Sequence, residues 1–247
     1  AYSTSTVNWK TGASATEWHS KSQLPFTLKD AANLTWSADG QKVAFFTTEK
    51  DKTYLHAGPV SQIHRICEIY TPNAYLAAAG NRIAWSPDAE RLAFTATLDA
   101  PPPAADPVVI TRIQYKSRTS ISDNRRLRVF LVAASPSSTP HPLTPPGADA
   151  HSISWGSANE IVYLSNPEPD PDAAHNYDIF AVNIFSGAAR QITKTPGVEM
   201  TPTISPDGNW IAYTATTRAL TTIDSVAEDN HVWVIPLAGG TPRELNR

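Results

Sequence analysis

Cationic side chains are concentrated in one stretch of the chain, from about residue 98 to residue 128. From residue 108 to residue 128, six of them accompany a single anion, Asp123: Arg112, Lys116, Arg118, Arg125, Arg126 and Arg128. A guanidinium group can bind a carboxylate through two parallel hydrogen bonds, so this stretch could clamp an anionic ligand, with Tyr115 beside it. A solvent-exposed hairpin whose arginines pair with neighbouring parts of the fold would explain the same residues.

Acidic side chains recur in a second stretch, between alternating prolines. They are Glu168, Asp170, Asp172 and Asp178. Carboxylate oxygens are the ligands that Ca²⁺ prefers. The prolines hold these acids apart, however, and no glycine provides the tight turn of a calcium loop. The seven histidines show no metal-binding spacing either. We therefore expect a polar connection here and predict no metal site.

Two further places could contact a ligand. Glu228 and Asp229 stand beside His231 and could receive a substrate ammonium group, although an ordinary surface loop would explain them equally well. Trp9 and Trp18 lie in a less regular N-terminal stretch, where aromatic side chains are candidates for a ligand surface.

The sequence carries none of the motifs of a self-sufficient enzyme. It has no Gly-x-Ser-x-Gly elbow, phosphate loop or dinucleotide fingerprint, so we predict neither catalytic residues nor a cofactor. Its 20 basic and 23 acidic residues give a net charge of −3, which does not attract nucleic acid. No apolar run reaches the roughly 18 residues of a membrane span. We expect a soluble chain, and secreted and periplasmic compartments are both compatible with it.

A short phrase recurs along the chain and predicts its architecture. The copies begin at Leu34, Ile83, Ile153 and Thr203, at spacings of 49, 70 and 50 residues. In the last copy, Ser205-Pro-Asp-Gly208 separates two β-prone runs and indicates a hairpin turn. Short strands repeated every 40 to 50 residues are typical of a β-propeller, with one blade per repeat.

Each repeat holds four strands, which predicts an all-β fold of four-stranded antiparallel blades. Asp39, Asp88 and Asp207 occupy the same turn position and should cap that turn. Trp36, Trp85 and Trp155 are likewise equivalent and are expected in the core. We expect one domain over residues 1–247, with about five blades and an insertion at about 98–128. The ends fall within blades, which predicts either a piece of a longer propeller or a small five-bladed ring.

The repeat resembles a known family. Ser205-Pro-Asp-Gly-x-x-Ile-Ala-Tyr-Thr214 is similar to the repeat of TolB-type propellers and of the N-terminal domains of the prolyl oligopeptidase superfamily. The insertion, Val109-Ile-Thr-Arg-Ile-Gln-Tyr-Lys116, looks more specifically like acylaminoacyl-peptidase and dipeptidyl-peptidase relatives. The resemblance implies a propeller that filters and orients peptides for a C-terminal α/β-hydrolase domain, which carries the catalytic triad. No residue of that triad is present in this sequence.

Three functions follow as hypotheses. The first is the peptide-gating propeller portion of a serine peptidase, non-catalytic alone, with the hydrolase domain as its missing partner. The second is a stand-alone binding propeller such as a carbohydrate-binding lectin with a glycan ligand. The third is a TolB-like scaffold that docks a protein partner.

Overall fold

The computed structural model describes most of the chain from residue 31 onward. The described residues are 2–7, 14–19, 31–49, 52–72, 79–97, 100, 107, 109–113, 116–117, 120–157, 159–173, 176–216, 218 and 229–245. For 2–7, 14–19, 116–117 and 120 it describes the backbone. Helices are absent from these described parts, so none of them contains a helix that could cross a membrane.

Four sheets of four antiparallel strands make up most of the fold. Sheet I contains β3 (Ala32–Trp36), β4 (Lys42–Glu49), β5 (Lys52–Pro59) and β6 (His64–Ile69). Sheet II contains β7 (Ile83–Trp85), β8 (Arg91–Ala96), β11 (Arg128–Ala133) and β12 (His141–Pro142). Sheet III contains β13 (Ala150–Trp155), β14 (Glu160–Ser165), β15 (Asp178–Asn183) and β16 (Ala189–Gln191). Sheet IV contains β17 (Glu199–Ile204), β18 (Trp210–Thr216), β19 (Asn230–Pro236) and β20 (Arg243–Glu244).

Two hairpins stand outside these sheets. One pairs β1 (Tyr2–Val7) with β2 (Ser14–His19), and the other pairs β9 (Lys116–Ser117) with β10 (Ser120–Ile121). The second hairpin lies between β8 and β11, where the chain leaves sheet II and later returns to it. The prediction of an all-β fold with four strands per repeat is confirmed. The described residues form four such sheets, whereas the sequence predicts about five blades.

Successive sheets pack face to face through three separate apolar cores. One core joins sheets I and II around Phe46 and Phe94, and a second joins sheets II and III around Val129 and Ile161. The third joins sheets III and IV around Leu164 and Tyr213. The first strands also form a series, because β3 contacts β7, β7 contacts β13 and β13 contacts β17. These first strands are called the inner strands below.

The repeated turn is held by its own side chains. In sheets I and II the serine hydroxyl donates to the aspartate two residues later at 2.5 Å, from Ser37 to Asp39 and from Ser86 to Asp88. In sheet IV, Ser205 donates to Asp207 in the same way. The serine hydroxyl is the main cause that lowers the pKa of all three aspartates. A backbone N–H comes next for Asp39 and Asp88, and the Asn209 side chain comes next for Asp207. The prediction that these aspartates cap turns is confirmed, which leaves them no evident part in ligand chemistry.

A bulge distorts three of the four inner strands at the same place. The pairing register shifts next to Asn33, Ser152 and Thr201, each four residues before the position of the turn serine. All three have positive φ values, of 57°, 52° and 50°. A β-branched residue such as Thr201 rarely adopts this conformation, so the surrounding sheet must impose it. Bulges of this kind redirect the side chains of a strand.

Candidate binding site

A cavity of about 340 Å³ lies between the inner strands of sheets I, II and III. Its lining combines aromatic, aliphatic and amide side chains, and we call it the inner-strand cavity. It is lined by Asn33, Leu34, Thr35, Trp36, Ala38, Asn81, Arg82, Ile83, Ala84, Trp85, Ile153, Ser154 and Trp155. Its volume falls in the range of small-ligand pockets. Strands β3, β7 and β13 supply most of its wall.

The three tryptophans of the cavity differ in exposure. Trp85 and Trp155 are 7% and 8% exposed and belong to the two apolar cores beside the cavity, as the sequence predicts. Trp36 is 54% exposed, so the prediction that it lies in the core is wrong. Strand β3 is largely exposed along its length, whereas β13 is buried. The difference arises because β13 lies between β7 and β17, while β3 contacts β7.

Two tryptophans that line the cavity have an indole nitrogen without a partner. The Nε1–H groups of Trp85 and Trp155 are buried, and neither has a hydrogen-bond acceptor among the described residues. Each nitrogen is inaccessible to solvent and lies within the packed core beside the cavity, so it does not face the open space.

A second, larger cavity lies against sheet III. Its volume is about 430 Å³, and its wall includes Tyr163, Phe180, Glu168 and several prolines. None of the described side chains with an unpaired buried polar atom lines it.

Arg112 and Arg126, two of the predicted anion-binding residues, bind carboxylates of this same chain. Arg112 is buried and donates to Asp172 at 3.0 and 2.9 Å and to Asp149 at 2.6 Å. Arg126 donates to the same two carboxylates at 3.0 Å. We call these four residues the arginine cluster. Burial alone would raise the pKa of Asp172, but the hydrogen bonds from Arg112 and Arg126 lower it.

Arg125 contacts this cluster through its backbone carbonyl, which accepts a hydrogen bond from Arg112 Nη1 at 3.1 Å, whereas its side chain binds elsewhere. Its Nε and Nη2 donate to Asp123 at 3.0 and 2.7 Å, and Nη2 also donates to the carbonyl of Thr71 at 3.1 Å. Arg128 donates from Nε to the carbonyl of Thr144 at 2.7 Å. The described arginines of the insertion thus contact residues of other loops and strands.

Several predicted ligand residues have no described side chain. Trp9, Tyr115, Arg118 and Glu228 lie outside the described residues. Trp18 lies in β2 and Lys116 in β9, for which the backbone is described. The structure therefore adds no contact for any of these six.

Asp229 lies beside a histidine on sheet IV. Its Oδ1 is 3.1 Å from His231 Nε2, while Nδ1 of the same ring contacts Glu244. Arg218 Nε is 3.6 Å from the other oxygen of Asp229. The hydrogen bond with Glu244, followed by the one with Asp229, raises the pKa of His231.

The four acids of the proline-rich stretch separate into different environments. Glu168 and Asp170 are exposed, Asp172 belongs to the arginine cluster, and Asp178 begins β15. Among the residues that the structure describes, no group of three acidic, histidine or cysteine side chains is arranged to hold a metal ion.

A buried pair of acids was not predicted from the sequence. Asp178 and Glu199 begin β15 and β17, and we call them the acid pair. Asp178 accepts hydrogen bonds from Gln191 Nε2 at 2.8 Å and from the Thr195 backbone at 3.2 Å. Glu199 accepts one from Thr195 Oγ1 at 2.8 Å, and its Oε2 is buried without a partner. Burial, followed by the charge of Asp178, raises the pKa of Glu199 to about 8.

The fold is that of a TolB-like propeller. Over 87% of this chain it matches TolB from Acinetobacter baumannii, with a TM-score of 0.56 and 15% identity, across 43% of that chain. Over 95% it matches the acylaminoacyl peptidase of Pyrococcus horikoshii, with a TM-score of 0.62 and 13% identity, across 33% of that chain. Over 88% it matches a puromycin-hydrolyzing peptidase of Mycobacterium tuberculosis, with a TM-score of 0.57 and 12% identity, across 31% of that chain.

These similarities confirm the resemblance at the level of the fold. Solved chains of TolB and of the prolyl oligopeptidase and acylaminoacyl peptidase families cover most of this chain. This chain spans between about a third and less than half of the three solved chains compared above. No protein-family model matches the sequence.

Proposed function

We propose that this chain is a non-catalytic, peptide-binding propeller that acts as the substrate-gating portion of a prolyl oligopeptidase-type serine peptidase. The observation that carries the proposal is the inner-strand cavity, which lies on a fold shared with acylaminoacyl peptidase. The sequence supports a non-catalytic role because it lacks a nucleophile elbow.

Binding and cleavage can be tested separately on the purified chain. We expect calorimetric titration with short unstructured peptides to give saturable binding and mass spectrometry of the same mixtures to show intact peptides. Cleavage of a peptide by the chain alone would contradict the non-catalytic role. Binding to a glycan array without any peptide binding would favour the lectin hypothesis instead, which no described residue or structural similarity supports.

The gating role makes a prediction about the intact protein. We expect the gene product isolated from its natural source to exceed 26.8 kDa and to contain a Gly-x-Ser-x-Gly elbow beyond the propeller. A natural gene product with the mass of this chain would contradict the peptidase role. The hypothesis of a stand-alone binding propeller would then remain.

A TolB-like docking scaffold is a second candidate. The match to TolB over most of the chain favours it, because that protein shares the fold. Co-purification with a folded protein that short peptides do not displace would support docking. Displacement of that protein by short peptides would instead indicate that both bind in the inner-strand cavity.

We further propose that the hairpin β1–β2 belongs to a fifth blade. Its two strands pair in antiparallel fashion like β18 and β19, and Ala1-Tyr-Ser-Thr-Ser-Thr6 resembles Ala212-Tyr-Thr-Ala-Thr-Thr217. A chain that lacks residues 1–30 should then unfold at lower denaturant concentration than the full chain. An unchanged unfolding midpoint would contradict the assignment.

A further inference from the structure

The second cavity, of about 430 Å³, has a floor of side chains that one face of sheet III brings together. Tyr163 on β14 pairs directly with Phe180 on β15, which pairs in turn with Gln191 on β16. Directly paired residues of antiparallel strands lie on the same face of a sheet, and all three residues line the cavity. The rings of Tyr163 and Phe180 are stacked, with their centroids 5.8 Å apart. The floor is therefore a continuous row of side chains, two of them aromatic.

Two loops form the walls of this cavity, which we call the proline-walled cavity. Pro145 and Pro146 belong to the loop before β13, and Pro167 and Pro169 belong to the loop after β14. Proline has no backbone N–H, so the backbone of these four residues can accept hydrogen bonds but cannot donate them. The walls are thus apolar rings whose own polar atoms are acceptors.

Two side-chain donors of the lining are already used within the fold. Ser165 Oγ donates to the carbonyl of Asp149 at 2.9 Å, and Gln191 Nε2 donates to Asp178 at 2.8 Å. The Tyr163 hydroxyl has no hydrogen-bond partner among the described residues and is not closed off from solvent. Burial raises the pKa of Tyr163 to about 12, so this hydroxyl stays neutral at pH 7 and can accept a hydrogen bond.

Glu168 is the one charged residue among the described residues that line the cavity. It lies between Pro167 and Pro169 and is exposed, so it stands at the mouth of the cavity, above the buried floor. No described cation lies within 4.0 Å of its carboxylate, in contrast to Glu160, which pairs with Arg190 at 2.9 Å. The lining therefore combines an aromatic floor, acceptor-rich walls and one negative charge without a partner.

We propose that the proline-walled cavity binds an organic cation with an aliphatic stem, which is the chemistry of a lysine or arginine side chain. The stem packs against the aromatic floor and the prolines, and the positive group pairs with Glu168 at the mouth. Aromatic rings add to this attraction, because a cation is drawn to the negative face of a ring. The site is separate from the inner-strand cavity, since the two share no described lining residue.

The lining also explains which ligands are disfavoured. An anionic ligand is repelled by Glu168 and finds few free donors in the wall. An uncharged ligand of the same shape packs against the same floor but gains no ionic attraction. The cavity should therefore distinguish lysine from norleucine, an uncharged side chain of similar length, in otherwise identical peptides.

The first test compares matched probes on the full chain by calorimetric titration. The probes are acetyl-Ala-Lys-Ala-amide, acetyl-Ala-Arg-Ala-amide, acetyl-Ala-norleucine-Ala-amide and the butylammonium ion. We expect each cationic peptide to bind about fivefold more tightly than the norleucine peptide. Added salt should reduce this difference, because salt screens exposed charge pairs. The butylammonium arm shows whether the cation alone is recognised or the peptide backbone contributes.

Two acids of one loop provide a matched pair of variants. Glu168→Gln removes the charge and keeps the shape, and we expect the preference for lysine over norleucine to fall to less than about twofold. Asp170→Asn is the control, because Asp170 is also exposed but does not line the cavity. It should leave the preference unchanged. Both positions are exposed, so both variants should fold as the wild type does.

The place of binding is read from nuclear Overhauser effects between the side-chain methylenes of the ligand and aromatic ring protons. We expect such contacts with Tyr163 and Phe180. Tyr213 provides the control ring, because it is buried in the core between sheets III and IV and does not line the cavity. Its ring protons should show no contact with the ligand.

Three results would each overturn the inference. Equal binding of the lysine and norleucine peptides, or no binding of any probe, would contradict cation recognition. A loss in Asp170→Asn as large as that in Glu168→Gln would show a general attraction to the acidic loop instead of a site. Saturation without contacts to Tyr163 and Phe180 would place the ligand elsewhere.

Discussion

The arginine cluster and the acid pair both place buried carboxyl groups at a junction between two sheets, but the two junctions differ in what compensates the negative charge. Both lie where an inner strand begins against the preceding sheet: Ala150 N donates to the carbonyl of Leu127, and Glu199 N donates to that of Tyr177. At the first junction Asp149 and Asp172 are neutralised by two guanidinium groups. At the second, no described cation pairs with Asp178 or Glu199, and burial raises the pKa of both carboxyl groups.

This difference between the two junctions shows what the insertion contributes to the fold. It supplies Arg112, which reaches Asp149 at the start of sheet III and Asp172 in the loop before β15. Burial and ion pairing act in opposite directions on Arg112, and its bonds to the two carboxylates leave its pKa raised. At the junction between sheets III and IV, no described guanidinium group reaches the acid pair, so we expect its contribution to stability to depend on pH.

Loss of Arg112 should have the largest effect. Arg112→Met keeps the length of the aliphatic stem but leaves two buried carboxylates short of a partner. We expect the free energy of unfolding to fall by about 3–5 kcal/mol, as for other buried ion pairs that lose one member. Denaturant unfolding at pH 7 measures this.

The matched control is an exposed arginine. Arg65 pairs with Glu49 at 3.0 Å, and both side chains are about half exposed. Arg65→Met should change the free energy of unfolding by less than about 1 kcal/mol. Equal losses in the two variants would show that burial of the arginine cluster is not what makes it stabilising.

At the second junction, Glu199→Gln should change how the free energy of unfolding depends on pH. The folded-state pKa of Glu199 is about 8, above its ordinary value of 4.5, so its contribution is fully present below pH 4.5 and is lost as the pH rises through 8. Glutamine stays neutral. We therefore expect the variant to exceed the wild type by about 2 kcal/mol in unfolding free energy at pH 9 and to match it near pH 5.

An exposed acid supplies the control for this pH series. Glu90 is 73% exposed and pairs with Lys42, so Glu90→Gln should follow the wild type at both pH values. If Glu199→Gln were instead less stable than the wild type at pH 9, the ionised carboxylate would have to be favourable in the fold. That result would contradict a raised pKa of Glu199 in the folded state.

Arg126→Gln should have the smallest effect of the three. Arg126 binds the same carboxylates as Arg112, but its side chain is 20% exposed and water can replace it. We expect a loss of about 1 kcal/mol in chemical denaturation, because Arg112 remains on both acids. A loss as large as that of Arg112→Met would show that the two arginines act as one unit.

The sequence predicted the local features of the fold well. The turn at Ser205-Pro-Asp-Gly208 and the strands on either side depend on neighbouring residues, so their pattern is visible in the repeat. The partners of Arg112 were not predictable, because Asp149 and Asp172 lie 37 and 60 positions away. Glu199 gave no signal, since an acid at the start of a strand usually faces solvent. Trp36 differs from Trp85 through the sheets that flank it, which the repeat alone does not show.

The central claim is that ligands bind at the inner strands, and mapping a bound peptide onto the backbone amides tests it most directly. In a titration of the full chain with a short peptide that binds it, we expect the amide resonances of β7 and β13 to move together with those around Asn33. Shifts confined to the outer strands β6, β12, β16 and β20, with β7 and β13 unmoved, would contradict the account.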